Sequence, residues 1–309
     1  MWSLVSSGDK FPAANFTLTV HRRRADGRMV AEYGFGERTR VFAKLYPHTR
    51  EGARVHQIHD RLWSEGFGAL SRNRVPEPLG YLEDVGVLLL RAAPGGCLAG
   101  TEARDWHAFR EGVALAARWL AALHTSSLTV GPREEMADGA LRLARRVERA
   151  AARLPDLAEL FRNALTELAS RYDTAAESSI VVQTHGRYHA AHVFIGPESV
   201  TAIDVDRAAF AAPAKDVGEF VASLNSIKVL GLVDARRVDD ASRLFLAEYI
   251  RHGPGVPHAL SYYWSHCIVW ALARQAFKDR PERRGWRRRI DYLRSEFDAV
   301  PRRVADWLR

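Results

Sequence analysis

The chain has 309 residues, 47% of them hydrophobic, and a net charge of +8. That length and apolar content suit one large domain or two ordinary ones with a packed core, and exclude a disordered chain. No apolar run approaches the roughly 20 residues needed to span a bilayer, so no membrane partner is expected.

The opening stretch MWSLVSSGDKFPAANF has no apolar signal-peptide core. Cys97 and Cys267 lie far apart and in no metal or redox spacing. A disulfide-free, cytoplasmic protein is therefore expected. The pI of about 9.8 favours anionic partners: a nucleotide, a phosphorylated substrate, nucleic acid or an acidic protein surface. Arginine far outnumbers lysine, however, a bias that GC-rich coding also produces, so charge alone selects none of these.

The first ninety residues read as β-rich. Phe16–Arg22 alternates apolar and polar residues, and Ala25–Gly27 (ADG) is a hairpin turn signal. Strands are expected at Met29–Tyr33 and Arg40–Tyr46. A helix is expected at Glu51–Glu65, with Val55, Ile58 and Leu62 on one face, and two more strands follow in VPEPLGYL and VGVLLLRA. Glycine and proline punctuate Ala93–Gly100 and mark a boundary. Residues 1–92 form the expected first part, 93–100 a hinge, and 101–309 a helical part with a small β insert. Helical spacing covers Ala103–Thr125, Glu134–Leu154 and Leu157–Tyr172. Short strands at Ile180–Gln183, Val193–Ile195 and Val200–Ile203 make the insert. Helices resume at Lys215–Leu224, Asp239–Arg251, Ala259–Phe277 and Trp286–Phe297.

The insert is chemically dense. HGRYHAAHVFIGPESVTAIDVD, His185–Asp206, carries three histidines and two aspartates. Asp204 follows an apolar run. Strand alternation predicts Asp204 and Asp206 on one face, as a shared metal site requires. The alternative is a pair of polar residues at the end of a strand. Lys44 sits mid-strand between apolar neighbours and needs an anionic partner unless it points to water. The run Arg280–Arg289, with Trp286, is the densest basic stretch. It reads as a solvated helix start or a protein-docking surface, and a nucleic-acid partner is not expected. Tyr262, Tyr263 and Trp264 read as core.

Taken in order, several motifs resemble the aminoglycoside phosphotransferase and choline kinase family of protein-kinase-like enzymes. They are FAKLYP, VPEPLGYL, LLLRAAPGGCL, LAALHTSSL, HGRYHAAHVFI, AIDVDRA and PAKDVGEF, and they span nearly the whole chain. The resemblance implies an α+β, two-lobed protein-kinase-like fold, with a β-rich N-terminal lobe and a larger helical C-terminal lobe. It implies ATP as donor and Mg²⁺ as metal, with Mn²⁺ the alternative. It assigns phosphate contact to Lys44 and metal binding to Asp204, with Asp206 assisting. The strand through Leu90 leads to the hinge, where backbone groups would bind adenine. Glu51 is the candidate partner of Lys44, and its competing reading is a helix-start acid answering the macrodipole. Asp216 would brace the catalytic loop.

That loop departs from the family pattern of His-Gly-Asp, four residues, then Asn. Here Arg187 stands at the base and His192 at the metal-binding asparagine. Guanidinium stays protonated and cannot serve as a base, but it binds anions well. His189 or His192 titrates near neutrality and can take the proton. His192 suits Mn²⁺ better than Mg²⁺. Two readings stay open. One is an ATP-dependent phosphotransferase acting on a hydroxyl of a small molecule or peptide side chain through an altered loop. The other is a pseudokinase scaffold that binds a protein partner. Transfer of AMP is a third use such a loop permits.

Overall fold

The computed structural model describes residues 16–36, 39–172, 180–230, 233–255, 259–277 and 286–308. The opening stretch and most of the basic run before Trp286 therefore lie outside the described residues. The chain divides into two compact units: 1–97 with 192–208, and 98–191 with 209–309.

In the first unit, β1 (Phe16–Arg23), β2 (Met29–Phe35), β3 (Thr39–Leu45), β5 (Pro78–Leu82) and β6 (Val87–Arg91) form one antiparallel sheet in the order β1-β2-β3-β6-β5. β1 is its edge and is exposed along its length. β6 lies between β3 and β5, so Leu88, Leu89 and Leu90 are buried in succession instead of alternating. The ADG turn closes β1 onto β2 as expected, with Gly27 at a φ of 86° that suits glycine.

Helix α1 (Thr49–Ser64) buries Val55, Ile58 and Leu62, as the 3.6-residue spacing predicts. Val55 joins Tyr46, Leu88 and Leu90 in one apolar cluster, so the helix face and the central strand share a core. Glu51, in the first turn, fits a macrodipole role.

A second sheet, in the order β4-β10-β9-β7, joins β4 (Asn73–Arg74), β7 (Gly96–Cys97), β9 (Val193–Ile195) and β10 (Val200–Ala202). This changes the expected division. The segment 192–208, which carries both site aspartates, packs with the N-terminal unit and not with the helical one. The reason is strand pairing: β10 runs parallel to β4 and antiparallel to β9, and β9 pairs with β7. Gly95 enables this, because a Cβ there would collide with the Ile195 carbonyl.

The second unit is helical: α2 (Trp106–His124), α3 (Met136–Arg153), α4 (Ala158–Ser170), α5 (Ala214–Leu230), α6 (Ala235–His252), α7 (Leu260–Gln275) and α8 (Trp286–Trp307). The Asp105 carboxylate caps α2 by accepting from Ala108 N–H at 3.0 Å. α2 buries Phe109, Val113, Ala116, Leu120 and Leu123. Tyr262, Tyr263 and Trp264 are core residues, as expected. A two-stranded ribbon of β8 (Val182–Thr184) and β11 (Ala209–Ala211) holds the loop that follows β8. The architecture is α+β.

Candidate active site

In the first unit, a cation meets two carboxylates. Lys44, near the end of β3, donates to Asp204 Oδ1 at 2.8 Å and to Asp206 Oδ1 at 2.5 Å. Tyr46, just past the end of β3, donates to Asp206 Oδ2 at 2.6 Å. Arg54 of α1 donates to the Asp206 carbonyl at 3.1 Å. Burial works against the Lys44 ammonium, but the Asp206 and Asp204 charges outweigh it and push its pKa well up. Burial likewise pushes the Tyr46 hydroxyl up, and Asp206 adds to it. Lys44 is thus charged and Tyr46 neutral throughout the physiological range.

The two aspartates converge, though not by strand alternation. β10 ends at Ala202. Asp204 adopts a left-handed conformation, φ 66° and ψ 44°, and a 3₁₀ turn follows at Val205–Arg207. The turn aims both carboxylates at Lys44. A non-glycine residue held in this region is strained, and such strain clusters at functional sites. His192 places Nε2 3.5 Å from Asp204 Oδ2, so the position expected to help hold metal does sit beside that carboxylate.

The expected Lys44–Glu51 pair is not formed. The Glu51 carboxylate accepts from Arg28 at 2.8 and 2.9 Å. The buried face of α1 carries Gly52, Val55, Ile58, His59 and Leu62 and no acid, so the carboxylates for Lys44 come from the insert. Leu90 is a core residue between Phe42 and Pro78 in the sheet.

His59 escaped the sequence reading. It is fully buried. Burial, and then the Lys44 charge, lower its pKa to about 4, so it is neutral at pH 7. Its position next to Ile58 on the apolar stripe was the available signal.

In the second unit the loop after β8 hangs on one buried acid. Asp216, in the first turn of α5, accepts from the backbone N–H of His185 at 2.6 Å and of Gly186 at 2.9 Å. Its carboxylate also meets His124 Nε2 at 3.3 Å, and His124 Nδ1 contacts the Tyr249 hydroxyl at 2.7 Å. Burial opposes the Asp216 charge, but the His124 hydrogen bond and nearby cations hold its carboxyl below the usual range. The bracing role expected of Asp216 is met. His124, in the motif LAALHTSSL, was not singled out, although its place on the buried face of α2 marks it.

Gly186 has a φ of 81°, which lets the loop turn directly after His185. Tyr188 is buried, stacks on Trp119 and donates to the Ala116 carbonyl at 2.8 Å. The loop backbone is therefore fixed, while Arg187 and His189 are half-buried.

Among the described residues, no three His, Cys, Asp or Glu side chains converge as a ready metal-ligand group. The donor set still fits a divalent ion bound in the manner of Mg²⁺, by one or two carboxylates with phosphate and water completing the shell. Asp204 and Asp206 could supply those carboxylates, and Lys44 is the charge a metal would displace.

Comparison with known proteins agrees with this fold. A choline/ethanolamine kinase family protein from Mesorhizobium loti is 16% identical, with a TM-score of 0.57 over 94% of this chain and 92% of that one. Amicoumacin kinase hAmiN, solved with AMP-PNP and Ca²⁺, is 12% identical, with a TM-score of 0.63 over 93% and 89%. The macrolide 2′-phosphotransferase MphH from Brachybacterium faecium is 17% identical, with a TM-score of 0.53 over 94% and 91%. At these identities the likeness shows the protein-kinase-like fold alone. No curated protein matches the chain in sequence. The profile described as the phosphotransferase enzyme family matches residues 22–251, and the chain belongs to that family.

Proposed function

We propose that the protein transfers a phosphoryl group from ATP to a hydroxyl of a small molecule, through a catalytic loop in which the usual aspartate base is replaced. The observation that carries this reading is the convergence of Asp204 and Asp206 on Lys44, which gathers one cation and two carboxylates of the kind such a site needs. Lys44 would hold the donor phosphates, with Asp204 and Asp206 holding the divalent metal. That metal, when bound, neutralises charge building on the phosphate oxygens. The transition state is loose, so positioning and charge do most of the work, and a missing base costs only about 10²–10⁴ in rate. Arg187 would steady an anionic group. His189 or His192 would receive the hydroxyl proton, as a neutral imidazole does well near pH 7.

One observation favours a second reading. Lys44 already pairs with both carboxylates, and a site occupied by its own cation suits a pseudokinase that docks a protein.

Calorimetric titration of ATP, with Mg²⁺ and then Mn²⁺, into the wild type and Asp204→Ala tests the proposal. Metal-dependent binding that Asp204→Ala loses supports it, and product mass then separates phosphoryl from AMP transfer. Absence of binding with either metal would overturn it and leave the scaffold reading. Arg187→Asp sharpens the result: turnover falls if Arg187 belongs to a working altered site, and appears if the site has merely drifted.

A further inference from the structure

A second concentration of charge lies wholly in the helical unit. Arg146 and Arg149 stand one turn apart on α3. The Arg146 guanidinium lies 4.4 Å from the Trp270 ring centroid and 5.1 Å from that of Phe277, and Arg149 lies 5.5 Å from the same Phe277 ring. Trp270 is one turn before Arg274 on α7, so the aromatic wall that seats two guanidiniums leads directly to a third. The start of α8 is tied to the end of α7 by Trp286 Nε1, which donates to the Gln275 carbonyl at 3.4 Å, and Arg289 follows within the first turn of α8.

These charges repel one another. Burial, and then Arg274 and Arg149, lower the Arg146 pKa; burial, and then Arg187 and Arg289, lower that of Arg274. Arg187, on the catalytic loop, is thus within electrostatic reach of the cluster. Among the described residues, Arg146, Arg149, Arg274 and Arg289 make no ion pair with a carboxylate. Arg146 Nε is buried with no hydrogen-bond partner. Arg149 and Arg274 remain exposed, so the cluster is open to solvent.

Several guanidiniums held together on rings, with no described carboxylate paired to them, are unfavourable unless an anion shares them. Their planar forks match phosphate oxygens, and stacking on aromatics fixes the forks in advance. We infer that Arg146, Arg149 and Arg274 form a binding site for a phosphorylated or otherwise multiply anionic acceptor. As an acceptor site the inference rests on the phosphotransfer reading; as an anion site it stands on its own. The site favours a compact anion, because the guanidiniums are gathered at one aromatic wall.

Titration of inorganic pyrophosphate, without metal, into the full chain tests it. The expected result is binding that weakens steeply with salt and falls about tenfold in Arg149→Gln/Arg274→Gln, where two charge-assisted contacts are lost. Both arginines are exposed, so the variant is expected to fold. Thermal unfolding provides a second readout: pyrophosphate raises the wild-type midpoint and leaves that of the variant nearly unmoved. Lys44→Ala separates the two phosphate sources, since it leaves this binding within about twofold if the nucleotide site is not involved. No binding by the wild type, equal binding by the double variant, or loss in Lys44→Ala alone would each overturn the inference. Binding of an oligothymidylate in place of pyrophosphate would overturn it in favour of nucleic acid. Failure of ATP to bind with metal would remove the phosphotransfer reading and leave the pyrophosphate result standing.

Discussion

The two units each hold an aspartate centre, and the centres are built differently. Asp216 is fully buried and meets two backbone N–H groups and a buried histidine. Asp204 and Asp206 keep 29% and 18% of their side chains exposed and are held by Lys44. The first arrangement is bound to the backbone and fixes a loop. On the proposed function the second would exchange its cation for a metal and phosphate, because water reaches it and Lys44 has a flexible stem. The backbone of the loop that carries Arg187 is thus held by Asp216.

The comparison breaks most sharply at Asp216. Asp216→Ala leaves two buried N–H groups and His124 without their acceptor and is expected to cost about 3–5 kcal/mol. Lys44→Met leaves two carboxylates that water can still solvate, at about 1.5–3 kcal/mol. Urea unfolding of both variants checks the order, and a larger loss in Lys44→Met would invert the assignment of brace and exchangeable site.

A smaller effect comes from two buried imidazoles, one in each unit. Burial lowers both His59 and His266 to about 4. The unfolded chain takes up protons near the ordinary histidine value of about 6.5, where the folded chain does not. Stability is therefore full above that value and declines as pH falls towards 4. Below this the Asp216 contribution begins to go as well, since its folded pKa is depressed. Unfolding free energies at pH 7 and pH 5 should differ, and His59→Leu should flatten the slope. An unchanged slope would mean that His59 is not held neutral.

The smallest effect is expected at Glu51. Its pair with Arg28 is partly exposed, so Glu51→Gln should cost less than about 1 kcal/mol. Nucleotide affinity should change by less than about twofold. A large loss of ATP binding would mean that Glu51 serves Lys44 after all.

By itself the sequence determined the alternation that made the first strands, the stripe that made α1, the Gly/Pro punctuation near residue 95, and the linear motifs around Lys44, His185 and Asp216. These depend on neighbours within a few residues, which a sequence displays directly. The tertiary structure decided the rest, because it depends on groups brought together from distant positions. Strand pairing moved 192–208 to the N-terminal unit, and a left-handed Asp204 with its 3₁₀ turn aimed two carboxylates at Lys44. Arg28 captured Glu51, and three helices and a loop gathered guanidiniums that lie far apart in the chain. No local pattern encodes which charge meets which: that choice is made by the distances and burial that folding creates.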